Sequence, residues 1–578
     1  FFFQAEAAIR DPLWSRGLGD VYKRQILLIN ISLKNIIFVL IIIFSITLSS
    51  QKTAEKDIES PIEFPILLSG NFGELRSSGF HSGIDIKTKG KEGVLIRSID
   101  SGYVSRVQVS TSGFGKVIYI NHANNLTSVY AHLSRFSDKI EKIINQLQYK
   151  NKSYEIRKFF KKDELKISKK EILGFSGNTG TSFGPHLHFE IRKTDTELPI
   201  NPRSYKFKIK DTIRPYVNSL YMYGIKNGLL KKVKLDIEKI NDSTYRSNTI
   251  KTRDTIGFGV ISYDRQNLTN NIFGNYKYSL FKNDSLDFEF TFDSFSFPEK
   301  PIQKEFVDYE FFVLNKSRIV KLFSNKDKKL RFVSKNSNGI IINENEKVDI
   351  KIKLSDYDKN NTYLVIPLIG SENNYEYDNE VVFPNNKIID PEKGYELEFN
   401  GHKLSIDKNT FQRKSKILFE YENDTLFAYN PFIEAMKNFE INFLIDQDSI
   451  GQYLSRKNYD GSSSFVSNKI TNGYYKFKTK SLGKFYIDYD TILPSIIRNK
   501  RINYKKQIQY FIRDKETGIK SYVGKINNKW ALFEYEPKLN KIFFKNDTLI
   551  KKNQINRVEI EIQDLVGNSK VVIDSLQF

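Results

Sequence analysis

The sequence predicts a mainly β protein, in which an N-terminal antiparallel β-sheet domain with a helical insertion is followed by several β-sandwich domains. The chain has 45 Phe and 32 Tyr but only two Met, and aromatic and β-branched residues favour pleated, half-buried surfaces. Short segments such as KVIYINH (116–122) and HLHFEIR (186–192) have the alternation of strands. A chain of 578 residues is too long for one domain, and its length suggests roughly three to five.

The first 50 residues are treated separately from the fold. Residues 1–25 resemble translated sequencing-adapter read-through, so we exclude them from fold reasoning. In residues 26–50, a charged flank precedes a predominantly apolar run, 36–48, and small residues follow it. This pattern predicts a secretory signal peptide, with an uncleaved membrane anchor as the alternative. Either one places the bulk of the protein outside the cytoplasm, in the periplasm or cell envelope.

Composition and charge exclude several classes of function. The chain has no cysteine, which excludes disulfides, thiolate metal sites, cysteine nucleophiles and the lipidated cysteine of a lipoprotein. The net charge is +22, but Lys, Asn and Ile are abundant together, and Asp and Glu are interspersed among the lysines. We therefore expect a solvated basic surface and no nucleic-acid partner.

The first predicted domain spans residues 51–208. It holds five of the six histidines and much of the glycine. An insertion at 135–173 contains DKIEKIINQLQYKN (138–151), whose isoleucine and leucine residues recur at i, i+3, i+4 and i+7. This spacing predicts a helix with one apolar face.

The rest of the chain is predicted to form β-sandwiches, because strand-like runs alternate with turns rich in Asn, Asp, Gly and Ser. DTIRPYV, beginning at Asp211, and DTILPSI, beginning at Asp490, look like the first strands of two related domains. We therefore predict immunoglobulin-like domains at 209–368 and 489–578. Residues 369–488 form a β-rich domain of unclear type between them, in which His402 is expected at the surface.

Histidine and carboxylate side chains in the first domain suggest a metal site. His81 and Asp85 are four residues apart, and in an extended segment such residues share one face. His186 and His188 also share a face of their strand, while the intervening residues point toward the core. Two imidazoles and one carboxylate, with a position left for water, are the ligands of a catalytic zinc ion. His132 and the other histidine of the pair are then available to orient water and stabilise an oxyanion.

Three segments together resemble the LytM/lysostaphin-type zinc metallopeptidases, and the resemblance covers about residues 60–205. The segments are GFHSGIDI (79–86), VYAHLS (129–134) and GNTGTSFGPHLHFEIR (177–192). This resemblance implies an endopeptidase that cuts peptide bonds of bacterial peptidoglycan. Similarity to wall peptidases of Gram-negative bacteria further implies a direct D-alanyl–diaminopimelate cross-link as the bond.

The resemblance also implies a role for each of the five residues. His81, Asp85 and His188 would bind one Zn²⁺ ion. His132 and His186 would be the catalytic pair that positions the water and stabilises the tetrahedral intermediate.

Other features of the first domain keep two interpretations each. His122 is either structural or a partner of a metal-binding residue. Glu190 is either a general base or an outer partner of His188. Arg76 either holds a substrate carboxylate or only forms a salt bridge. The insertion 135–173 is expected to form a lid or a rim beside the cleft.

The leading hypothesis is a secreted zinc-dependent endopeptidase that hydrolyses the peptide cross-links between peptidoglycan stem peptides. A closely related alternative is a peptidase that acts on another extracytoplasmic protein. A second class is a non-catalytic, wall-binding regulator of another cell-wall hydrolase. A third is an envelope adhesion or structural protein that works through its β-rich C-terminal region, which could also bind an envelope protein partner.

Overall fold

The described chain is built mostly of antiparallel β-sheets, which confirms the predicted fold class. The computed structural model describes residues 58–76, 79–205, 207–226, 229–324, 330–377, 386–503, 507–545 and 548–578. The adapter-like segment and the predicted signal peptide lie outside these residues. Within the described residues, no helix combines the length and the apolar character needed to cross a membrane.

The first region holds a sheet of nine strands, with a sheet of three and a hairpin beside it. Its strands are β1 (Leu68–Gly70), β2 (Leu75–Arg76), β3 (Gly79–Phe80), β4 (Ile84–Lys87), β5 (Leu95–Arg97), β6 (Gly102–Val109), β7 (Lys116–His122), β8 (Leu126–Leu133), β9 (Arg135–Phe136), β10 (Ile156–Phe159), β11 (Lys166–Ile167), β12 (Ile172–Phe175), β13 (His186–Lys193) and β14 (Pro199–Ile200). The large sheet has the order β1-β4-β13-β8-β7-β6-β10, so β13 lies near its middle. Leu187 and Phe189 of β13 are fully buried, as the alternation predicts.

The insertion contains the predicted helix and extends the large sheet. Helix α1 (Asp138–Asn151) has two acidic residues in its first turn, which suits the positive end of a helix dipole. It buries Ile140 and Ile144. Strands β10 and β11 that follow both pair with β6. The insertion therefore lies along the edge of the sheet opposite β1.

The remaining strands fall into three consecutive regions, each with two sheets. The second region contains β15 (Tyr216–Lys226), β16 (Leu229–Leu235), β17 (Ile237–Asn241), β18 (Thr244–Ser247), β19 (Ile250–Thr252), β20 (Ile256–Tyr263), β21 (Lys277–Lys282), β22 (Ser285–Thr291), β23 (Val320–Lys321), β24 (Val333–Lys335), β25 (Lys347–Ser355) and β26 (Asn361–Gly370), with the short helices α2 (Gln303–Phe306) and α3 (Tyr309–Asn315). The third contains β27 (Asn386–Ile389), β28 (Tyr395–Phe399), β29 (His402–Ile406), β30 (Ser415–Glu422), β31 (Thr425–Tyr429), β32 (Phe439–Leu444), β33 (Gln452–Lys457), β34 (Ser463–Ser467), β35 (Ile470–Thr471), β36 (Tyr474–Thr479) and β37 (Gly483–Tyr489). The fourth contains β38 (Ser495–Arg498), β39 (Gln507–Arg513), β40 (Ile519–Ile526), β41 (Lys529–Trp530), β42 (Glu534–Glu536), β43 (Lys541–Lys545), β44 (Ile555–Asp564) and β45 (Ser569–Gln577).

The third and fourth regions each enclose an apolar core between their two sheets. Ile417 and Ile441 come from opposite sheets of the third region and share one core. Tyr510 and Ile560 do the same in the fourth. Each of these regions is therefore a β-sandwich. We propose the predicted limits 51–208, 209–368, 369–488 and 489–578 as the domain boundaries.

The prediction that His402 lies at the surface is wrong. Its side chain is buried, with the ring centroids of Tyr421 and Phe443 at 4.2 and 4.4 Å. Its Nδ1 accepts a hydrogen bond of 3.0 Å from the backbone N–H of Leu444. The aromatic residues that cover it come from neighbouring strands, and the local sequence around His402 gives no sign of them.

The fourth region contacts the first through a buried ion pair. Lys116 Nζ lies 2.7 Å from Glu534 Oε2, and it also donates to the Ser134 carbonyl at 3.1 Å. Burial opposes both charges, but each partner offsets this, so the pKa of Lys116 is raised and that of Glu534 is lowered. Nearby, the Trp530 ring packs edge-on against Tyr149 of α1 at 5.3 Å.

We expect the change Glu534→Gln to weaken this contact strongly. It leaves the buried Lys116 ammonium without its carboxylate, which costs about 3–5 kcal/mol. The measurement is urea unfolding in a Trp14→Phe background, where Trp530 is the one remaining tryptophan and reports on the contact directly. The control is Glu559→Gln, which removes the partner of the exposed Lys525 at 2.8 Å and should change stability little. Equal losses of stability in the two variants would contradict the conclusion that the Lys116–Glu534 ion pair stabilises the contact between the two regions.

Candidate metal centre

Strand register brings the predicted metal ligands together. Strand β13 pairs with β4 on one side, where His188 is opposite Asp85, and with β8 on the other, where His188 is opposite Ala131. His81 follows β3 directly and reaches the same place from the loop before β4. Sheet pairing thus brings Asp85 and His188 together, although they are more than 100 positions apart in sequence.

Three donor atoms converge on one point. His188 Nδ1 lies 2.9 Å from Asp85 Oδ1 and 3.0 Å from His81 Nε2, and His81 Nε2 lies 3.1 Å from Asp85 Oδ1. All three side chains are buried. In a tetrahedral zinc site with bonds of about 2.0–2.1 Å, ligand atoms are roughly 3.3 Å apart. The donor set and its spacing therefore fit a zinc ion.

Each of these side chains also has an outer partner that fixes its orientation. His81 Nδ1–H donates to the Asn71 carbonyl at 2.7 Å, and His188 Nε2–H donates to Glu190 Oε1 at 2.8 Å. Asp85 Oδ2 accepts a hydrogen bond of 2.6 Å from Arg76. Partners of this kind set the tautomer and ring orientation of metal-binding histidines.

The contacts of Glu190 and Arg76 bear on the alternatives left open by the sequence. Glu190 contacts His188 and also accepts from Ser82 at 2.6 Å and from Arg192 at 2.5 Å. Burial opposes its ionisation, but the charge of Arg192 and the hydrogen bonds lower the pKa of Glu190 to about 2. Glu190 is thus a fully engaged carboxylate beneath His188, and Arg76 is an ion-pair partner of Asp85.

His132 and His186 lie side by side next to the ligands, with ring centroids 4.9 Å apart. His132 Nδ1–H donates to the Thr179 carbonyl at 2.8 Å, and His186 Nδ1–H donates to the Gly184 carbonyl at 2.8 Å. Because a carbonyl can only accept, the proton of each neutral ring is on Nδ1, and Nε2 carries a free lone pair. His186 Nε2 lies 3.4 Å from Asp85 Oδ1, beside the three donor atoms.

Burial keeps two of the histidines neutral. Burial, and then the charges of His188 and His186, lower the pKa of His132 to about 3. Burial also lowers the pKa of His81 to about 4, although the charge of Asp85 opposes this. Both rings are therefore neutral near pH 7, which a ligand and a proton acceptor both require.

Two glycine-containing loops hold His132 in place. His132 itself has a φ of 61°, a left-handed conformation that is uncommon outside glycine. Gly180, with a φ of 69°, packs against the backbone of Gly115, and an added Cβ would lie 2.4 Å from the Gly115 nitrogen. This contact positions the turn whose Thr179 carbonyl binds His132.

The fourth region reaches the same turn, and no local sequence pattern predicts this contact. Lys538 Nζ donates to the carbonyls of Asn178, Gly180 and Ser182. Phe183, in the same turn, is fully exposed. The rim of the site therefore combines a turn of the first region with a lysine that is about 360 positions further along.

His122 lies outside this group. Its Nδ1 is 2.9 Å from the Ser101 carbonyl and its Nε2 is 2.6 Å from Ser128 Oγ. These contacts favour the structural role over partnership with a metal ligand.

The insertion contributes to the rim through Glu155, which accepts from Thr111 N–H and Oγ1, each at 2.7 Å, in the loop that carries Phe114. The Phe114 ring lies 5.0 Å from that of His188.

Comparison with known proteins gives one family match. The model of Peptidase family M23 matches residues 79–149. This span holds His81, Asp85 and His132, and β13 follows it in sequence.

Curated relatives match over longer segments. The DD-carboxypeptidase/endopeptidase Mpg of Neisseria meningitidis serogroup B is 32% identical over 124 residues, which are 22% of this chain and 22% of the relative. An uncharacterized metalloprotease of Buchnera aphidicola is 30% identical over 141 residues, which are 24% of this chain and 30% of the relative. The chain thus covers less than a third of the length of either relative.

Among solved structures, the catalytic domain of the prophage-encoded M23 protein EnpA from Enterococcus faecalis is 28% identical. That match covers 25% of this chain and 96% of the domain, with a TM-score of 0.19 over the whole chain. The family match falls on the region that contains His81, Asp85 and His132. The chain therefore contains a domain of peptidase family M23.

Proposed function

We propose that the chain is a secreted zinc-dependent endopeptidase that hydrolyses the peptide cross-links of bacterial peptidoglycan. The observation that carries this proposal is the convergence of His81 Nε2, Asp85 Oδ1 and His188 Nδ1, with His132 and His186 beside them. In this proposal the first three residues hold the metal and the last two perform proton transfer.

The proposed chemistry depends on the Nε2 atoms of His132 and His186, whose lone pairs are free to accept a proton. Zinc bound by the three ligands would polarise the scissile carbonyl and lower the pKa of a water to about 7. His186 Nε2, which lies 3.4 Å from Asp85 Oδ1, would orient that water and accept its proton. Once protonated, an imidazole of the pair can donate from Nε2 to the oxyanion of the substrate and to the leaving amine. The carbonyls of Thr179 and Gly184 hold both rings through these steps.

The substrate class rests on the relatives. The Neisseria protein is named a DD-carboxypeptidase/endopeptidase, which supports cleavage of a D-alanyl–diaminopimelate cross-link between stem peptides. Such a substrate is accessible only outside the cytoplasm, in agreement with the predicted signal peptide and the periplasm or cell envelope as location. We further propose that residues 209–578, including the predicted immunoglobulin-like domains, direct the enzyme to the wall or to an envelope protein.

The non-catalytic alternatives explain less of the site. A regulator that only binds the wall, or an adhesion protein, needs no adjacent imidazoles whose Nδ1–H groups are held by backbone carbonyls beside a set of metal ligands. It also needs no outer partner for each ligand, and such buried polar arrangements are costly to maintain. A peptidase that acts on another extracytoplasmic protein uses the same residues, so the choice of substrate separates it from the leading proposal.

We expect the purified chain to release new peptide ends from cross-linked peptidoglycan, and a zinc chelator to abolish the release. The change His188→Ala removes one metal ligand, so both bound zinc and cleavage should be lost. The matched control is His122→Ala, which removes a histidine of the same domain outside the centre and should keep both. Zinc content is read by atomic absorption, and mass analysis of the fragments identifies the bond.

The outcomes of this assay separate the alternatives. Zinc-loaded protein that leaves peptidoglycan intact but cuts an envelope protein would favour the other peptidase. Protein that binds zinc and peptidoglycan, but cleaves neither peptidoglycan nor an envelope protein, would favour the regulator. Cleavage that persists in His188→Ala would contradict the proposed centre.

We expect Gly180→Ala to reduce turnover without loss of zinc. The added Cβ would meet the backbone of Gly115, so the turn must move and take the Thr179 carbonyl away from His132. Because a positioned acid–base group contributes about 10²–10⁴-fold to rate, kcat should fall at least about tenfold. Gly394→Ala is the control, since its Cβ would have only an ordinary contact of 3.6 Å with the Ile406 carbonyl. An unchanged kcat, or an equal loss of zinc, would contradict this positioning role.

A further inference from the structure

A second group of acidic side chains lies in the region that follows the M23 domain. Asp211, Asp356 and Asp358 each offer a carboxylate oxygen, and these oxygen atoms lie within 4.8 Å of one another. Asp211 precedes β15, and the other two occupy the turn between β25 and β26. Asp211 and Asp356 are buried, while Asp358 is more exposed.

Asp264, which follows β20, provides an independent observation. It is 1% exposed, and neither of its carboxylate oxygen atoms has a hydrogen-bond partner. Burial, and then the charges of Asp356 and Asp211, raise the pKa of Asp264 to about 8, and the Arg265 backbone amide opposes this only weakly. Asp356 and Asp211 are thus the charges that act most strongly on this carboxylate, so it lies near the acidic group. A buried carboxylate without a partner is costly, so it is neutralised either by a proton, as the raised pKa indicates, or by a bound cation.

The positive charge of Arg203 does not balance these residues. Arg203 forms an ion pair with Asp358, and its charge also lowers the pKa of Asp211, Asp264 and Asp356. Burial outweighs this effect, and all three pKa values remain raised. Four carboxylates thus share one guanidinium.

The hydrogen bonds of the group leave oxygen atoms available. Asp356 accepts from the Asn360 backbone N–H at 2.7 Å and from Asn360 Nδ2 at 2.6 Å. Asp211 Oδ1 accepts from the Ile213 N–H at 3.1 Å. Both oxygen atoms of Asp264 remain without a hydrogen-bond partner. The ligand types are carboxylates alone, without histidine or cysteine, which suits a hard cation and does not suit zinc.

We propose that Asp211, Asp264, Asp356 and Asp358 bind one calcium ion. Calcium accepts six to eight oxygen ligands in a flexible geometry, so several carboxylates, a backbone carbonyl and water can share it. Magnesium requires near-octahedral geometry and retains its waters, so it should bind more weakly. We call these four residues the Asp264 site.

The Asp264 site lies at a junction with the M23 domain. Gln266, two residues beyond Asp264, accepts from the Leu68 N–H at 2.9 Å and donates to the Ile66 carbonyl at 3.2 Å. Leu68 belongs to β1, which pairs with β4, the strand of Asp85. A cation that orders the segment after β20 would therefore stabilise the edge of the sheet that carries the metal centre.

The fourth region offers a matched comparison within the same chain. Asp490, Asp514 and Asp564 also bring carboxylate oxygen atoms within 4.8 Å. There, however, each carboxylate is engaged. Asp490 accepts from Thr517 Oγ1 at 2.7 Å, Asp514 accepts from the Gly518 N–H at 2.7 Å, and Asp564 accepts from three successive backbone N–H groups. This cluster is satisfied by its own turns and carries no proposal.

The test is calcium binding by the full chain at pH 7.5, after chelator treatment and reloading with one equivalent of zinc so that the M23 centre is filled. Titration calorimetry with calcium chloride should give one site, and calcium should raise the Tm. Asp264→Asn should weaken binding by at least about tenfold, because affinity follows the ligand charge. Without calcium, this variant should be about as stable as the unchanged protein, since the raised pKa of Asp264 leaves its buried carboxyl group largely protonated at this pH and the amide is similarly uncharged.

The control variant is Asp514→Asn, which should keep calcium binding and the calcium-dependent rise in Tm. Asp358→Asn changes a more exposed ligand, so it provides a second variant if Asp264→Asn does not fold, and it too should weaken binding. The absence of calcium-dependent heat and of a Tm shift in the unchanged protein would overturn the proposal. Equal calcium binding by Asp264→Asn and Asp514→Asn would do the same. The readout needs no cleavage, so it is independent of the proposed peptidase activity.

Discussion

The register of β13 between β4 and β8 is the constraint on which the rest of the site depends. It places His188 opposite Asp85 and next to the end of β8, where His132 lies. Leu187 and Phe189 lock this register, because both are fully buried on the other face. A slip of one residue would exchange the core face and the site face. The hydrophobic core thus sets the positions of the chemical groups to within a hydrogen-bond length.

Loops supply what the sheet alone cannot, namely the orientation of each imidazole. Three of the four histidines of the centre use their second ring nitrogen on a backbone carbonyl, and His188 uses it on Glu190. The carbonyl of Thr179 is in turn held by the glycine contact and by the Lys538 ammonium on the same turn. The fourth region therefore influences the centre through the backbone of the turn that holds His132, and it does so without supplying a metal ligand.

Local sequence patterns predicted much of this structure, and long-range packing explains the rest. Strand parity gave the buried and exposed faces of β13, and the apolar spacing gave α1, because both depend on near neighbours. The positive φ of His132 depends on a loop that arrives from elsewhere. The Lys116–Glu534 pair joins residues 418 positions apart. His402 was assigned to the surface because the aromatic rings that cover it belong to other strands.

Several buried carboxylates of the described residues have close partners, and the contrast with Asp264 is informative. Glu190 has Arg192, Ser82 and His188 as partners, and Glu534 has Lys116. Asp490 and Asp564 are held by hydroxyl or backbone groups of their turns. Asp264 is equally buried, but both of its oxygen atoms lack partners, and the groups nearest to it are further carboxylates. An uncompensated buried charge costs several kcal/mol, so the proposed cation would explain why a carboxyl group is kept at this buried position.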